Sequence, residues 1–231
     1  MLKVILFDID NTLLSFDEYV RDSMRRGFQK FGIGTYEDAM FSVFHKINSK
    51  LWRSIEEGKI TFEELQEIRW NKIFDALGLS ADGVLFERYF RECLFDSAIP
   101  ESGATEILEY LHGKYTLCVA SNGPYKQQVN RLKVGGMLPY FSELFISEEI
   151  GFSKPSEEFF NTCIERLNKK SAFPILPSEI LIIGDSLTSD MAGGIQCGMQ
   201  TCLYDPDKKA LPPEMKINYV ISSLQELKSI L

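Results

Sequence analysis

Val4-Ile5-Leu6-Phe7-Asp8-Ile9-Asp10-Asn11-Thr12 is the stretch on which the reading of this chain turns. Four consecutive apolar residues run straight into acidic and polar ones. A strand buried on one face alternates in character, whereas a strand buried on both faces is continuously apolar, as in a parallel sheet. Five later runs have the same character, at 115–120, 144–146, 180–183, 201–204 and 219–221. Helix-period segments separate them, at 104–112, 125–133, 157–167 and 190–197, the last stopping at Gly198. Strands alternating with helices of this length predict βαβ units and an α/β fold with a doubly wound parallel sheet.

One stretch breaks the alternation. Residues 16–97 hold no strand-like run but carry helical patterns such as Phe41, Phe44, Ile47, Leu51 and Leu65, Ile68, Ile73, punctuated by Gly32, Gly34, Gly58 and Gly78. An independent N-terminal helical domain would separate the first strand from its sheet. The expectation is therefore a core of 1–15 and 98–231 with a helical insertion at 16–97. No Gly/Ser-rich linker, Pro-rich linker or fixed-period repeat is visible.

Composition narrows the function classes. The chain has 231 residues, 45% apolar and 25% charged, the profile of a globular protein with a real core. With 25 Lys and Arg against 33 Asp and Glu the net charge is −8, which disfavours nucleic-acid polymers and anionic membranes as partners. No apolar run reaches the ~18–20 residues of a membrane span, and the first residues lack a signal-peptide core. Five cysteines without a C-x-x-C pair fit buried thiols in a reducing compartment, so a cytoplasmic location is expected. His45 and His112 are far apart on helical segments and form no zinc site. Asp207-Lys208-Lys209 reads as a solvated turn, and Glu63, Glu64 and Glu67 as a charged helix face.

Ligands of open α/β sheets bind beyond the carboxyl ends of the strands, so the residues just past each apolar run matter most. After the first come Asp8 and Asp10. After the second come Ser121-Asn122-Gly123. The third leads to Ser147-Glu148-Glu149-Ile150-Gly151-Phe152-Ser153-Lys154-Pro155, and the fourth to Gly184-Asp185-Ser186-Leu187-Thr188-Ser189-Asp190. Singly, each is ordinary: aspartates favour turns and helix caps, and a lysine before proline is usually solvated. All four on one sheet edge is a different matter. Four clustered carboxylates on an acidic protein would repel a phosphate ester, and a hard divalent cation with oxygen ligands resolves that repulsion.

The order D-x-D-x-T, Ser-Asn, Lys-Pro, G-D-x₄-D resembles the haloacid dehalogenase superfamily, and the resemblance spans essentially the whole chain. The insertion after the first motif is similar to members with an α-helical cap on a Rossmann-like core. The resemblance implies Asp8 as the nucleophile that forms an aspartyl-phosphate and Asp10 as the general acid/base. It implies Thr12 as a loop-ordering residue counted with the phosphate contacts Ser121 and Asn122, and Lys154 as the charge clamp. It also implies Mg²⁺ held by Asp8, Asp10 and Asp185, with Asp190 in support. Members acting on carbon–halogen bonds or phosphonates lack the second carboxylate, so Asp10 points to a phosphatase of small phosphomonoesters. Helical-cap mutases keep both carboxylates, leaving a β-phosphoglucomutase-like phosphotransferase as an alternative; Asn11-Thr12 looks more phosphatase-like than their Gly-Val. A phospho-accepting receiver-type switch is the non-enzyme alternative, but it lacks both a residue such as Asp10 that hydrolyses the acyl phosphate and so large an insertion.

Within the insertion, Leu51-Trp52-Arg53, Glu56-Glu57-Gly58-Lys59-Ile60-Thr61 and Arg69-Trp70, with Ile146-Ser147-Glu148-Glu149-Ile150-Gly151, resemble the pyrimidine 5′-nucleotidase branch. That implies nucleoside 5′-monophosphates as substrates, with sugar phosphates or phosphoglycolate-type esters as alternatives. A ring such as Trp52 can stack on a base. Trp70 reads as helix packing, while Asn48, Trp52 and Arg53 are open between base contact and packing. Phe16, Phe28, Phe31, Phe41 and Phe44 recur at helical spacing and read as the insertion's own core. Cap hinges are expected near 15–16 and 97–100, and the expected assembly is a monomer or homodimer.

Overall fold

The computed structural model describes residues 1–208 and 211–231. In chain order the elements are β1 (Val4–Phe7), α1 (Phe16–Phe31), α2 (Asp38–Glu56), α3 (Phe62–Leu77), α4 (Gly83–Phe95), α5 (Ala104–Leu111), β2 (Thr116–Ser121), α6 (Tyr125–Val134), β3 (Glu143–Ile146), α7 (Ser147–Ile150), α8 (Glu157–Lys170), β4 (Ile180–Gly184), α9 (Ala192–Gln196), β5 (Gln200–Tyr204), β6 (Tyr219–Ile221) and α10 (Leu227–Ile230). Chain contacts divide them into two units, Met1–Ser15 with Ala98–Leu231, and Phe16–Ser97. No described helix is long and apolar enough to cross a membrane.

The first unit is built on a six-stranded, all-parallel sheet in the order β3-β2-β1-β4-β5-β6. The inner strands β1 and β4 are apolar throughout because both faces are covered. Ile5, Phe7, Leu117, Val119, Leu181 and Ile183 pack on one side with Ile107, Leu108 and Leu111 of α5. Val4, Leu6, Cys118, Ala120, Ile180 and Ile182 pack on the other with Phe159, Phe160 and Cys163 of α8. The strand order reverses on either side of β1, which creates a crevice at the carboxyl ends there. Phe7 is in register with Val119 and Ile183, so the segments beyond β1, β2 and β4 leave the sheet at one level.

The helix expected at 190–197 differs in detail. A π-helical turn at Leu187–Met191 precedes it, and the α-helix starts only at Ala192. α7, the four-residue helix after β3, is too short to leave a periodic signal. The expected turn at Asp207-Lys208-Lys209 is exposed at Asp207 and Lys208; Lys209 lies outside the described residues.

The second unit is a bundle of α1–α4 around an aromatic core. Phe28, Phe41, Phe44, Trp70, Phe74, Phe86 and Phe90 are buried in it, with the Trp70 and Phe86 rings 4.4 Å apart, while Phe16 and Phe31 pack at its margin. Trp70 is a packing residue, as expected. Trp52 is half-buried against Phe62, with ring centroids 5.7 Å apart. Asn48 accepts from Arg69, whose guanidinium forms a buried two-point pair with Glu87 at 2.9 and 2.6 Å, and Arg53 is exposed. Thr61 and Glu64 close a capping box at the start of α3, and Gly78 ends that helix in the left-handed conformation. His45 and His112 are both exposed.

α9 lies so close to the sheet that a Cβ on Gly194 would stand 2.6 Å from Ile182 and 2.9 Å from Thr201. Gly194→Ala is expected to cost about 1–3 kcal/mol through overpacking. Urea unfolding measures it, and an unchanged midpoint would contradict the close packing of α9 on β4 and β5.

Candidate active site

The segment after β1 is a tight turn rather than a continued strand. Leu13 and Leu14 donate to Ile9 O at 2.9 Å, and Asn11 donates to Leu14 O at 2.8 Å. Asn11 sits in the left-handed region at φ 57°, which asparagine tolerates better than most residues. The turn leaves Asp8 at the tip of β1, its N–H bonded to Ile183 O of β4 at 2.9 Å. Asp8 is 7% exposed.

Lys154 reaches this tip from the loop between α7 and α8. Its Nζ donates to Asp8 Oδ1 at 2.8 Å, to Asp190 Oδ1 at 2.5 Å and to Ala120 O at 2.6 Å, so all three ammonium protons have acceptors. Asp190 is fully buried, and its second oxygen accepts from Ser186 N at 3.2 Å. Gly184 makes room for it, since a Cβ there would lie 2.2 Å from Asp190 Oδ2. Asp8, Asp185 and Asp190 can each bring one oxygen within 4.8 Å of the others.

Burial is the largest influence on Asp8 and pushes its carboxyl up to about 7; Lys154 pulls it down, while Asp190 and Asp10 push it further up. Burial alone would lower the Lys154 ammonium, but Asp190 and Asp8 outweigh it and hold the group above the ordinary lysine value. Asp8 and Asp190 are buried around the Lys154 ammonium with the less buried Asp185 beside them, so acidic groups outnumber that ammonium. All the donors are hard oxygens. Charge, donor type and spacing therefore fit a divalent cation such as Mg²⁺.

Other expected site residues are placed differently. The Asp10 carboxylate, expected among the metal ligands, belongs to another set of contacts: Oδ1 accepts from Arg131 at 2.6 Å and Oδ2 from Gln128 at 2.8 Å. The turn aims it at α6. Asn122, expected to contact phosphate, spends its amide on the Lys154 main chain, accepting from Lys154 N at 2.8 Å and donating to Lys154 O at 2.9 Å. It fixes the loop that presents the ammonium. Thr12, expected with the phosphate contacts, is fully enclosed under the turn, with no hydrogen-bond partner for its hydroxyl among the described residues. Ser121 ends β2 beside the cluster, its Oγ accepting from Gln128 at 2.9 Å. Arg131 and Gln128 are site residues that the motif spacing does not signal, because polar residues one turn apart on a helix normally mark a solvated face. Ser147 Oγ and Glu148 also brace the loop after β2, accepting from Gly123 N at 2.9 Å and Tyr125 N at 2.8 Å.

A family model for haloacid dehalogenase-like hydrolases matches residues 2–198. The chain belongs to that family. This haloacid dehalogenase-like hydrolase is 37% identical over 229 residues to the HAD-hydrolase YfnB of Bacillus subtilis strain 168, covering 99% of this chain and 95% of that protein. It is 31% identical over 226 residues to the pyrimidine 5′-nucleotidase PynA of Streptococcus pneumoniae, covering 97% and 93%. It is 30% identical over 227 residues to the pyrimidine 5′-nucleotidase YjjG of Escherichia coli K12, covering 98% and 96%. A crystal structure of YfnB, described as bound to magnesium and as revealing interdomain movement, matches this hydrolase with a TM-score of 0.88 at 36% identity, over 100% of this chain and 98% of that one.

The raised Asp8 carboxyl has a thermodynamic signature. Between its ordinary value of 3.8 and about 7 the folded hydrolase holds a proton that the unfolded chain has released, so the stability tied to that proton is lost as pH rises through this window. In EDTA, Asp8→Asn is therefore expected to gain stability relative to the parent between pH 4 and 7, measured by urea unfolding. A gap that stays flat or narrows would contradict the assignment.

Proposed function

We propose that this hydrolase is a Mg²⁺-dependent phosphatase of small phosphomonoesters, with pyrimidine nucleoside 5′-monophosphates as its substrates. The observation that carries the reading is the Lys154 ammonium bridging Asp8 and Asp190 beside Asp185, a site with surplus negative charge and a nearly sealed nucleophile. The nucleotide specificity is supported by the two relatives named as pyrimidine 5′-nucleotidases.

In the proposed chemistry an Asp8 oxygen attacks phosphorus, and the bond from phosphorus to the ester oxygen breaks. Asp10 gives that oxygen a proton, releasing the alcohol and leaving an acyl phosphate on Asp8. Asp10 then takes a proton from a water as the water attacks phosphorus, which returns free Asp8 and inorganic phosphate. This divides one difficult displacement into two easier ones. Lys154, held in its charged form, opposes the negative charge of the phosphoryl oxygens. The Ser121 hydroxyl lies at the end of β2 to meet one of those oxygens. Asp8, Asp185 and Asp190 would hold Mg²⁺, which, when bound, supplies the positive charge that lets an anionic nucleophile approach an anionic ester.

A panel of pyrimidine and purine nucleoside monophosphates, sugar phosphates and phosphoglycolate tests this. Mg²⁺-dependent release of inorganic phosphate is expected, with the highest kcat/KM for pyrimidine nucleotides and a loss of roughly a thousandfold or more in Asp8→Asn. Isomerised sugar phosphate in place of inorganic phosphate, or an Asp8→Asn variant as active as the parent, would reject the reading. Independently of turnover, Mg²⁺ is expected to raise the melting temperature of the parent and to do so far less in Asp185→Asn. Equal shifts in the two proteins would remove Asp185 from the metal site.

A further inference from the structure

Arg131 and Gln128 lie one turn apart on α6, and both are 1% exposed. Arg131 Nη1 donates to Asp10 Oδ1 at 2.6 Å and to Gln128 Oε1 at 2.9 Å. Gln128 Nε2 donates to Asp10 Oδ2 at 2.8 Å and to Ser121 Oγ at 2.9 Å. Each Asp10 oxygen thus has its own donor, and the two donors are joined to each other and to the end of β2. A buried guanidinium is costly unless it is closely paired. Its partner here is a carboxylate still about a third exposed, the side chain being 1% exposed in Arg131 and 32% in Asp10. The carboxyl is therefore clamped from behind and open in front, and each oxygen keeps a lone pair that the clamp does not use.

We propose that Arg131 and Gln128 are positioning residues that fix the orientation of the Asp10 carboxyl relative to Asp8 and Ser121. The inference rests on the phosphatase reading, in which Asp10 hands a proton to the leaving oxygen. A clamp that merely stabilised the fold would affect every substrate alike. A clamp that aims Asp10 matters, in the step that expels the ester oxygen, in proportion to how badly the leaving group needs that proton. A nucleoside leaves as a strongly basic alkoxide and needs it; p-nitrophenolate leaves readily without it.

The test compares a nucleoside monophosphate with p-nitrophenyl phosphate in the full-length protein with Mg²⁺. Arg131→Gln is expected to lower kcat/KM, which reports transfer of the phosphoryl group from the ester to Asp8, about a hundredfold on the nucleotide and less than about tenfold on the aryl ester. Arg131→Lys restores part of the nucleotide activity, since an ammonium can meet one oxygen but not hold the forked geometry. Gln128→Leu keeps the Arg131–Asp10 pair and folds on that account; it is expected to show the same selectivity at about tenfold. An equal loss of kcat/KM on both esters, or no loss on either, in any of these folded variants overturns the inference. Asp10→Asn run alongside separates the two levels. A leaving-group-selective loss there with none in Arg131→Gln or Gln128→Leu overturns the positioning role and leaves the phosphatase reading standing. No hydrolysis of either ester by the parent overturns both.

Discussion

Lys154 carries its charge into a place almost sealed from water, with 2% of its surface exposed, and spends all three protons on Asp8, Asp190 and the carbonyl of Ala120. A charge so placed is tolerable only because its partners are charged and close. The same contact makes Asp8 tolerable: without the ammonium, two buried carboxylates would face each other with nothing between them. Around this contact the rest of the core unit is arranged. The sheet levels the tips of β1, β2 and β4, Asn122 ties down the main chain of Lys154, and Gly184 leaves room for Asp190.

The site has two halves with opposite electrostatic character. On one side, Asp8, Asp185 and Asp190 outnumber their single ammonium, and the deficit suits a divalent cation. On the other, Asp10 is matched by Arg131 and Gln128, each bonded to one of its oxygens. Two aspartates separated by one residue on the same turn therefore have different surroundings. The proposed division of labour between a nucleophile and a proton carrier depends on that difference, because identical environments would give the pair one behaviour rather than two.

Some of this is legible in residue order and some is not. Strands buried on both faces announce themselves as unbroken apolar runs, so Val4–Phe7 and Ile180–Gly184 stand out, and the polar residues just beyond them must share an edge once the sheet is parallel. That is why Asp8, Lys154, Asp185 and Asp190 can be gathered from a sequence. What a strand end cannot reveal is the direction of a side chain. Asn122 looks the same in sequence whether its amide faces a ligand or a main chain 32 residues away, and Asp10 gives no hint that it turns to a helix more than a hundred residues downstream. Arg131 and Gln128 escape notice for a related reason: burial of polar residues depends on what packs over them, and helical periodicity carries no record of that. The π-helical turn at Leu187–Met191 lies where Asp190 is drawn under the strand tips, a tertiary demand that overrides the local α-helical pattern.

The central claim is that the carboxylate paired with Lys154 takes the phosphoryl group from the ester. Acid-quenching the protein in mid-turnover and mapping the peptides by mass spectrometry reads this directly. The account predicts one added phosphoryl group on the peptide containing Asp8, gained and lost at rates compatible with turnover. Hydrolysis that proceeds with Asp8 never modified, or with the phosphoryl group on Asp185, Asp190 or a hydroxyl side chain, would contradict it.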